Sequence, residues 1–277
     1  MAGRIMMLGA DGMLGTSLKK TFNNSDIHTF NKSQLDITNK ESVFEKISQL
    51  KPSIVINLAA YTDVDGSESN KQLAFNVNGE GVRFVAEACR KNNASLMHIS
   101  TDYVFDGSKE SYSEDDKTNP INVYGKSKEL GEKYLMETLN EYYLVRASWM
   151  FGDNGKNFVD TIVQLAKEKK ELRVVDDQHG RPTYTDDLSK QVKNIIEAKN
   201  PFGIYHITNS NTCTWFDFAA KIVEIAGIDC YVKPMPSSEL GRPAKRPRYS
   251  VLENNKLPPL RSWQLALKEY MEKKWKA

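Results

Sequence analysis

The chain has 277 residues, of which 40% are hydrophobic and 27% are charged, and its net charge is +2. This length predicts one large domain or two adjoining ones, since a domain typically has roughly 150 residues. The small net charge argues against a nucleic acid or an anionic membrane as partner. No apolar run is long enough to span a bilayer, no signal peptide is evident, and the three cysteines lack metal-ligand spacing. We therefore expect a cytoplasmic protein without a bound metal.

The first half of the chain alternates short apolar runs with amphipathic segments. Strands are predicted at residues 4–10, 27–30, 52–60, 95–100 and 142–148, and helices at residues 12–22, 41–50, 71–93 and 122–139. Alternation with short connections predicts an α/β fold with a Rossmann-like, doubly wound parallel sheet. The near-continuous apolar run IVINLAA is typical of a parallel strand that is buried on both faces.

After residue 148 the alternation weakens. Helices are predicted at residues 157–170 and 215–227 and a strand at 203–208, while prolines between 234 and 259 indicate a loop-rich stretch. We predict a dinucleotide-binding domain over residues 1–148, to which the segment at about residues 180–209 returns. A smaller, discontinuous α/β lobe over residues 149–277 would bind the substrate.

The stretch GADGMLG follows the first predicted strand and opens the first predicted helix. Its glycines, Gly9, Gly12 and Gly15, allow a tight turn, a close approach of the backbone to a pyrophosphate, and close helix–strand packing. The phosphates of a dinucleotide would then lie at the N-terminus of the helix. The alternative is an ordinary glycine-rich turn.

The end of the second predicted strand bears on the choice between NADPH and NADH. Asn31 and Lys32 stand where an acidic residue would hold the ribose of NADH. A lysine here favours the 2′-phosphate of NADPH, although Lys32 could also be a solvated surface residue. Asp36 and Ile37 follow in a loop that can pass the adenine.

Polar residues follow the third and fourth predicted strands, at the edge where ligands bind in open α/β sheets. Small residues there let backbone lie against a cofactor, and the others face a substrate crevice. In chain order they are Ala59, Ala60, Thr62, Val64 and Asp65 after one strand, and Ser100, Thr101, Asp102 and Tyr103 after the next.

Tyr124 and Lys128 are one helical turn apart in YGKSK. A cation would lower the pKa of the phenol, and Thr101 would donate a hydrogen bond to a carbonyl oxygen that accepts hydride. Tyr124 would then supply the proton. Alone, this spacing is more often a surface pair, but the glycine loop and the hydroxyl at the strand end favour catalysis.

Two further features leave alternatives open. Trp149 follows a predicted strand, where it either packs in the core or offers a stacking surface for a sugar. The basic run RPAKRPR at residues 242–248 is either a solvated loop or an anion-binding loop near a phosphate.

With these motifs in place, the chain resembles the extended short-chain dehydrogenase/reductases, and within them the dTDP-4-dehydrorhamnose reductase family. STDYVFDG and DDQHGRPT are the more specific of the shared stretches, and the resemblance spans nearly the whole chain. It implies reduction of the 4-keto group of dTDP-4-dehydro-6-deoxy-L-mannose to dTDP-L-rhamnose with NADPH, NADH being possible. Rival interpretations are a non-catalytic dinucleotide-binding subunit of the methionine adenosyltransferase type and a nucleotide-sugar epimerase.

The resemblance also implies site residues. The catalytic residues are Thr101, Tyr124 and Lys128. The cofactor contacts that it implies are Gly9, Asp11, Gly12, Met13, Leu14, Asp36, Ile37, Ala60, Tyr61, Thr62, Tyr124 and Lys128. To these we add Gly15, Asn31, Lys32, Leu58, Ala59 and Ile99, which lie in or beside the same sequence motifs. The substrate contacts are Val64, Asp65, Thr101, Asp102, Tyr103, Tyr124 and Trp149. Some relatives form a magnesium-bridged dimer through glutamates, and Ser17 stands at one of those positions. We therefore expect no magnesium, and a monomer or a weak homodimer.

Overall fold

The computed structural model describes residues 3–275. The described range leaves out residues 1 and 2, where the first predicted domain begins, and residues 276 and 277, where the second one ends. The strands are β1 (Ile5–Leu8), β2 (Ile27–Phe30), β3 (Ile54–Asn57), β4 (Ser95–Thr101), β5 (Tyr142–Ala147), β6 (Met150–Phe151), β7 (Glu171–Val175), β8 (His179–Gly180), β9 (Thr183–Tyr184), β10 (Gly203–His206), β11 (Cys213–Thr214) and β12 (Tyr231–Met235). The helices are α1 (Met13–Thr21), α2 (Lys40–Leu50), α3 (Val64–Ser69), α4 (Lys71–Phe75), α5 (Gly81–Lys91), α6 (Val123–Thr138), α7 (Phe158–Glu168), α8 (Thr185–Glu197), α9 (Trp215–Ala226) and α10 (Trp263–Trp275).

A six-stranded parallel sheet organises the first half of the chain. Its strand order is β10-β5-β4-β3-β1-β2, and every neighbouring pair is parallel. The order reverses direction between β1 and β3, which is where an open α/β sheet forms a ligand crevice. The predicted α/β fold with a doubly wound parallel sheet is confirmed.

Alternate residues of the strands serve two separate cores. Side chains such as Met7 and Ile56 pack with α1 and α8 on one face, and Met6 and Val55 pack with α2, α5 and α6 on the other. Because both faces are covered, the central strands are apolar throughout, as the near-continuous runs in the sequence predict.

The remaining C-terminal elements build a second region. A two-stranded parallel sheet of β7 and β12 packs with α7, α9 and α10 around a core rich in aromatic side chains. The chain leaves this region through α8, adds β10 to the edge of the large sheet beside β5, and then returns. The division into two domains at residue 148 stays a prediction.

Two elements differ from their predicted bounds in ways that shape the site. The strand expected over residues 52–60 ends at Asn57, so the chain beyond it is free to line a crevice. The helix expected over 71–93 is interrupted by a π-helical turn at Asn76–Glu80. This turn directs Asn78 inward, where its amide accepts from the Tyr61 N–H at 2.8 Å and donates to the Ser127 hydroxyl at 2.9 Å. The interruption therefore fixes the loop after β3.

Candidate active site

The glycine turn after β1 is too tight for side chains. Gly9 has φ +71°, and a Cβ there would lie 2.6 Å from the Ala59 nitrogen. A Cβ on Gly15 would lie 2.4 Å from the Ala10 carbonyl oxygen, so Gly15 serves helix packing beneath the turn. Gly12 precedes α1 without a side-chain cap, which leaves the first backbone N–H groups of that helix available to an anion.

A cleft opens in front of this turn, between the ends of β1, β2 and β3. Twelve of the predicted cofactor contacts line it: Gly9, Asp11, Gly12, Asn31, Lys32, Asp36, Ile37, Leu58, Ala59, Ala60, Tyr61 and Thr62. An amide hydrogen bond of 2.9 Å from Asn31 to the Asp11 carboxylate ties the two sides of the entrance together. The cleft has the shape and backbone exposure that a dinucleotide requires.

The other predicted cofactor contacts lie elsewhere. Leu14 and Ile99 belong to the hydrophobic core beneath the cleft, and Met13 packs beside Gly155. Tyr124 and Lys128 lie on α6, behind the end of β4. The sequence interpretation missed three apolar lining residues, Leu35, Leu73 and Val77. The sequence did not indicate that these three residues line a cleft, because each also fits the apolar face of a loop or helix.

The three predicted catalytic side chains lie around the end of β4. Thr101 is the last residue of that strand, and Tyr124 is the second residue of α6. The Asn122 side chain caps the helix by accepting from the Gly125 N–H at 2.7 Å. Gly125 itself has no room for a Cβ beside the Tyr103 carbonyl, so this glycine lets α6 approach the strand end. The Thr101 hydroxyl thereby lies beside the Tyr124 phenol.

The pKa of Tyr124 shifts in the opposite direction from the one expected. Burial raises it to about 12; the Thr101 hydroxyl lowers it, and the charge of Asp102 raises it further. The expectation that Lys128 lowers this pKa is wrong for the protein alone, because the Lys128 side-chain nitrogen is directed toward β4. Its Nζ donates to the Ile99 carbonyl oxygen at 2.7 Å and lies 3.2 Å from His98 Nε2.

Asp102 is a buried carboxylic acid directly behind this pair. It is 3% exposed, and the Thr101 hydroxyl donates to its Oδ1 at 3.0 Å, whereas its Oδ2 has no hydrogen-bond partner among the described residues. Burial raises the pKa of Asp102 to about 7, although the hydroxyls of Ser250 and Thr101 lower it. The neighbourhood of Tyr124 therefore contains a carboxyl group whose pKa is near neutral pH.

A second cleft lies between Tyr103 and residues of the C-terminal half of the chain. Its walls carry basic and aromatic side chains, and its polar lining comprises Tyr103, Lys156, Asn157, Thr161, Arg173, Gln178, Arg242 and Arg246. Trp215 forms part of the apolar wall, and its ring stacks on Trp149 at a centroid distance of 3.6 Å. Cationic and aromatic groups together suit a nucleoside diphosphate.

The predicted substrate contacts are arranged around this second cleft in different ways. Tyr103 lines it, and its ring meets the Tyr124 ring edge to face at 6.1 Å. Asp65 is linked to it through Arg246, whose Nη1 lies 2.7 Å from the carboxylate. Trp149 stands behind Trp215 with φ +47°, and its indole N–H has no partner among the described residues.

Val64 begins α3 beside Asp65 and does not line the second cleft. The structure bears on the two open interpretations of the basic run at one of its residues, Arg246. The Arg246 side chain is only 12% exposed and borders the cleft, so a solvated loop is the wrong description of it. The sequence interpretation did not include Trp215, since a tryptophan at the start of an amphipathic helix usually indicates a core residue.

Ser17 also has a definite environment. It is buried, and its hydroxyl bonds to Thr185 Oγ1 at 2.9 Å and donates to Asp186 Oδ1 at 2.7 Å, which ties α1 to the start of α8. Within residues 3–275 no group of three or more histidine, cysteine or acidic side chains has the arrangement of a metal site. None of the helices in that range is long and apolar enough to cross a membrane. The absence of magnesium stays a prediction.

Comparison with known proteins places this geometry in a family. Residues 3–275 match the model of the RmlD substrate binding domain. The chain is 37% identical to the spore coat polysaccharide biosynthesis protein SpsK of Bacillus subtilis, covering 98% of each chain. It is 41% identical to dTDP-4-dehydrorhamnose reductase of Streptomyces griseus, covering 96% of this chain and 92% of that one.

A solved structure agrees. The dTDP-4-dehydrorhamnose reductase of Bacillus anthracis in complex with NADP superposes with a TM-score of 0.95 at 40% identity, covering 99% of this chain and 100% of that one. The glycine turn, the hydroxyl and phenol at the end of β4, and the full-length matches agree with one another. The chain belongs to the RmlD family, that of the dTDP-4-dehydrorhamnose reductases.

Proposed function

We propose that this NAD(P)H-dependent oxidoreductase reduces the 4-keto group of dTDP-4-dehydro-6-deoxy-L-mannose to give dTDP-L-rhamnose, with NADPH as the preferred reductant. The observation that carries the proposal is the position of Tyr124 and Thr101. They lie at the end of β4, where the ring of Tyr103, which lines the second cleft, meets the Tyr124 ring edge to face. A phenol and a hydroxyl at this place are suited to a carbonyl group that is presented between two bound nucleotides.

The first cleft fits a dinucleotide. The Gly9 turn and the start of α1 would hold the pyrophosphate, since Gly9 lets the turn pack against the Ala59 backbone and no side chain caps the first N–H groups of α1. Lys32, at the rim, would meet a 2′-phosphate, which supports NADPH over NADH. The bound cofactor would supply the hydride.

The protein's own groups would handle the proton. With its pKa raised to about 12, Tyr124 is protonated at neutral pH and therefore holds a proton to donate to the oxygen that becomes negative. The Thr101 hydroxyl lies beside it and donates to Asp102 in the protein alone; on turning from Asp102 it would stabilise the same oxygen by a hydrogen bond. Because both side chains are largely enclosed, these interactions are stronger than they would be in water.

The second cleft suits the nucleotide portion of the substrate. Arg246, Arg242, Arg173 and Lys156 provide positive charge for a diphosphate, and Trp215 provides a flat surface for a base. Asp65 orients Arg246 through hydrogen bonds of 2.7 and 2.8 Å to both of its terminal nitrogens. These features support a nucleotide sugar as substrate.

We further propose that the protein works in the cytoplasm as a monomer or weak homodimer and uses no magnesium. The near-neutral charge, the unpaired cysteines in the described chain and the buried Ser17 support this. Size determination with and without a chelator tests the last two points together.

A coupled assay tests the reaction. It supplies dTDP-glucose with the preceding dehydratase and epimerase, and follows the loss of NADPH absorbance. Tyr124→Phe should lower turnover by about two to four orders of magnitude while leaving NADPH affinity unchanged. Tyr134→Phe is the matched control, because Tyr134 lies on the same helix and donates only to Glu80; its turnover should match the wild type.

Two results would contradict the proposal. Wild-type turnover in Tyr124→Phe would exclude the assigned proton donor. NADPH binding by the wild-type protein without oxidation of NADPH in the coupled assay would favour a non-catalytic binding protein instead.

A further inference from the structure

A buried chain of hydrogen-bonding groups runs from the first cleft to Lys128. The Ala59 N–H donates to Asn57 Oδ1 at 3.1 Å, Asn57 Nδ2 lies 3.3 Å from His98 Nδ1, and His98 Nε2 lies 3.2 Å from Lys128 Nζ. Asn57 and His98 are paired across β3 and β4, and both are fully buried. Ala59 lines the first cleft, so the two ends of this chain are a cofactor contact and a catalytic side chain.

The directions of these hydrogen bonds can be assigned from donor and acceptor capacity. A backbone N–H can only donate, so the Asn57 oxygen faces Ala59 and the Asn57 amide nitrogen faces His98. His98 Nδ1 must then accept. Burial, the largest cause, holds the pKa of His98 well below its usual value, so the ring is neutral. A neutral imidazole that accepts at Nδ1 carries its hydrogen at Nε2, which points at Lys128.

An N–H directed at Lys128 requires a lone pair on the lysine nitrogen, and an ammonium group has none. The rest of the lysine environment agrees. Its Nζ donates to the Ile99 carbonyl oxygen at 2.7 Å and makes no ion pair among the described residues. Glu132, one turn further on, is already bound by Arg146 at 2.7 Å and by the Ser100 hydroxyl.

The groups that bear on the protonation of Lys128 are therefore few. They are His98 from β4, Tyr124 and Glu132 from its own helix, and Arg146 from β5 behind Glu132. Burial lowers the pKa of Lys128 to about 8, and the charge of Glu132 raises it. A lysine in this environment changes its protonation state when a charged ligand arrives.

We propose that His98 is a positioning residue that holds Lys128 as a neutral amine at mildly alkaline pH, and that binding of the anionic dinucleotide then draws a proton from solvent onto Lys128. This inference rests on the proposed function, since it requires the dinucleotide to bind. The negative charge of the phosphates and the exclusion of water by the ligand both favour the ammonium form. Near pH 8.5, Lys128 would thus be mainly neutral in the protein alone and charged when the cofactor is present.

Protonation of Lys128 has a consequence at the other end of the chain. An ammonium group needs an acceptor, so the imidazole hydrogen must move from Nε2 to Nδ1. Nδ1–H then faces Asn57, whose amide must rotate to present its oxygen and thereby release the Ala59 N–H toward the cofactor cleft. No other bond changes, and the solvent supplies the single added proton. Cofactor contact and lysine charge are coupled through these three side chains.

Calorimetry of NADPH binding tests the inference. Titrations near pH 8.5 in buffers with different ionisation enthalpies give the number of protons taken up per NADPH bound. A lysine with a pKa of about 8 is roughly three-quarters neutral at this pH, so the wild-type protein should take up about 0.7 proton. Lys128→Gln removes this group and should take up close to none, which also corrects for any contribution from Asp102.

His98→Gln tests the role of the histidine. Glutamine can turn its oxygen toward Nζ and accept from an ammonium group, so Lys128 should already be charged and the uptake should fall to about 0.3 proton or less. Equal uptake in the wild-type protein and Lys128→Gln, or wild-type uptake in His98→Gln, would overturn the inference.

A measurement on the wild-type protein does not depend on any variant folding. Nitrogen NMR of the imidazoles should find His98 protonated at Nε2 without NADPH and at Nδ1 with it. A His98 that carries its hydrogen at Nδ1 in the protein alone would overturn the inference. Failure of NADPH to bind at all would instead refute the proposed function, on which the inference rests.

Discussion

Replacing Asp102 by asparagine should stabilise the folded protein at neutral and alkaline pH, although Asp102 lies beside the catalytic residues. The carboxylate is buried, one of its oxygens has no partner among the described residues, and its pKa rises from 3.8 to about 7 on folding. The folded state therefore binds this proton more tightly than the unfolded state does, so stability falls as the pH rises between these two values. Asparagine has nearly the same shape and no charge.

The expected gain follows from the two pKa values. Each pKa unit corresponds to about 1.4 kcal/mol, so Asp102→Asn should add about 2 kcal/mol to the free energy of unfolding near pH 5.5 and about 4 kcal/mol near pH 8.5. Urea unfolding of both proteins at these two pH values measures the difference. A variant that is less stable than the wild type near pH 8.5, or a gain that does not shrink at the lower pH, would refute the reasoning.

Asp65→Asn is the control with the opposite sign. Hydrogen bonds from Arg246, together with the Ala244 N–H and Arg242, lower the pKa of Asp65 to about 2 despite partial burial. Its stabilising effect is therefore present above pH 3.8 and lost as the pH falls toward 2. After allowance for solvent screening, the free energy of unfolding of Asp65→Asn should be about 1 to 2 kcal/mol lower than that of the wild type at neutral pH.

Two further substitutions separate the clefts. Lys32→Ala should weaken NADPH binding about fivefold and leave NADH binding unchanged, because only NADPH offers a 2′-phosphate to this exposed cation; equal effects on both cofactors would contradict the assignment. Trp215→Ala should raise the KM for the nucleotide sugar by about tenfold or more, with the NADPH affinity unchanged, since base stacking on an aromatic ring contributes about 1–3 kcal/mol. Steady-state kinetics with each ligand varied in turn checks both, and an unchanged sugar KM would argue against Trp215 as a nucleotide surface.

The residues of the first cleft were easier to predict from the sequence than those of the second, for a physical reason. Glycines, small residues and polar residues at the ends of parallel strands are consecutive in the chain, and the sheet topology brings those ends to one edge. GADGMLG and the residues after β3 and β4 could therefore be assigned before any coordinates were known. The predicted catalytic side chains Thr101 and Tyr124 were identified in the same way, because one follows a predicted strand and the other opens a helix.

The second cleft is assembled from residues distant in sequence. Lys156, Arg173, Trp215 and Arg246 come from four separate segments, and none carries a local signal that distinguishes it from a surface or core residue. The pKa of Tyr124 could not be predicted either. It depends on burial and on which way the Lys128 side chain turns, and helical spacing fixes neither.

The return of the chain to the large sheet through α8 and β10 has a consequence for engineering specificity. Lys156 and Arg173 precede this return, while Trp215 and Arg246 follow it, so the wall of the second cleft, which we propose faces the nucleotide, is encoded in two separate blocks of sequence. If either block alone were grafted from a relative that prefers another nucleotide, the two parts of the cleft wall would not match each other. Exchange of recognition between family members therefore requires both blocks to be transplanted together, with the α8–β10 segment of the recipient kept in place.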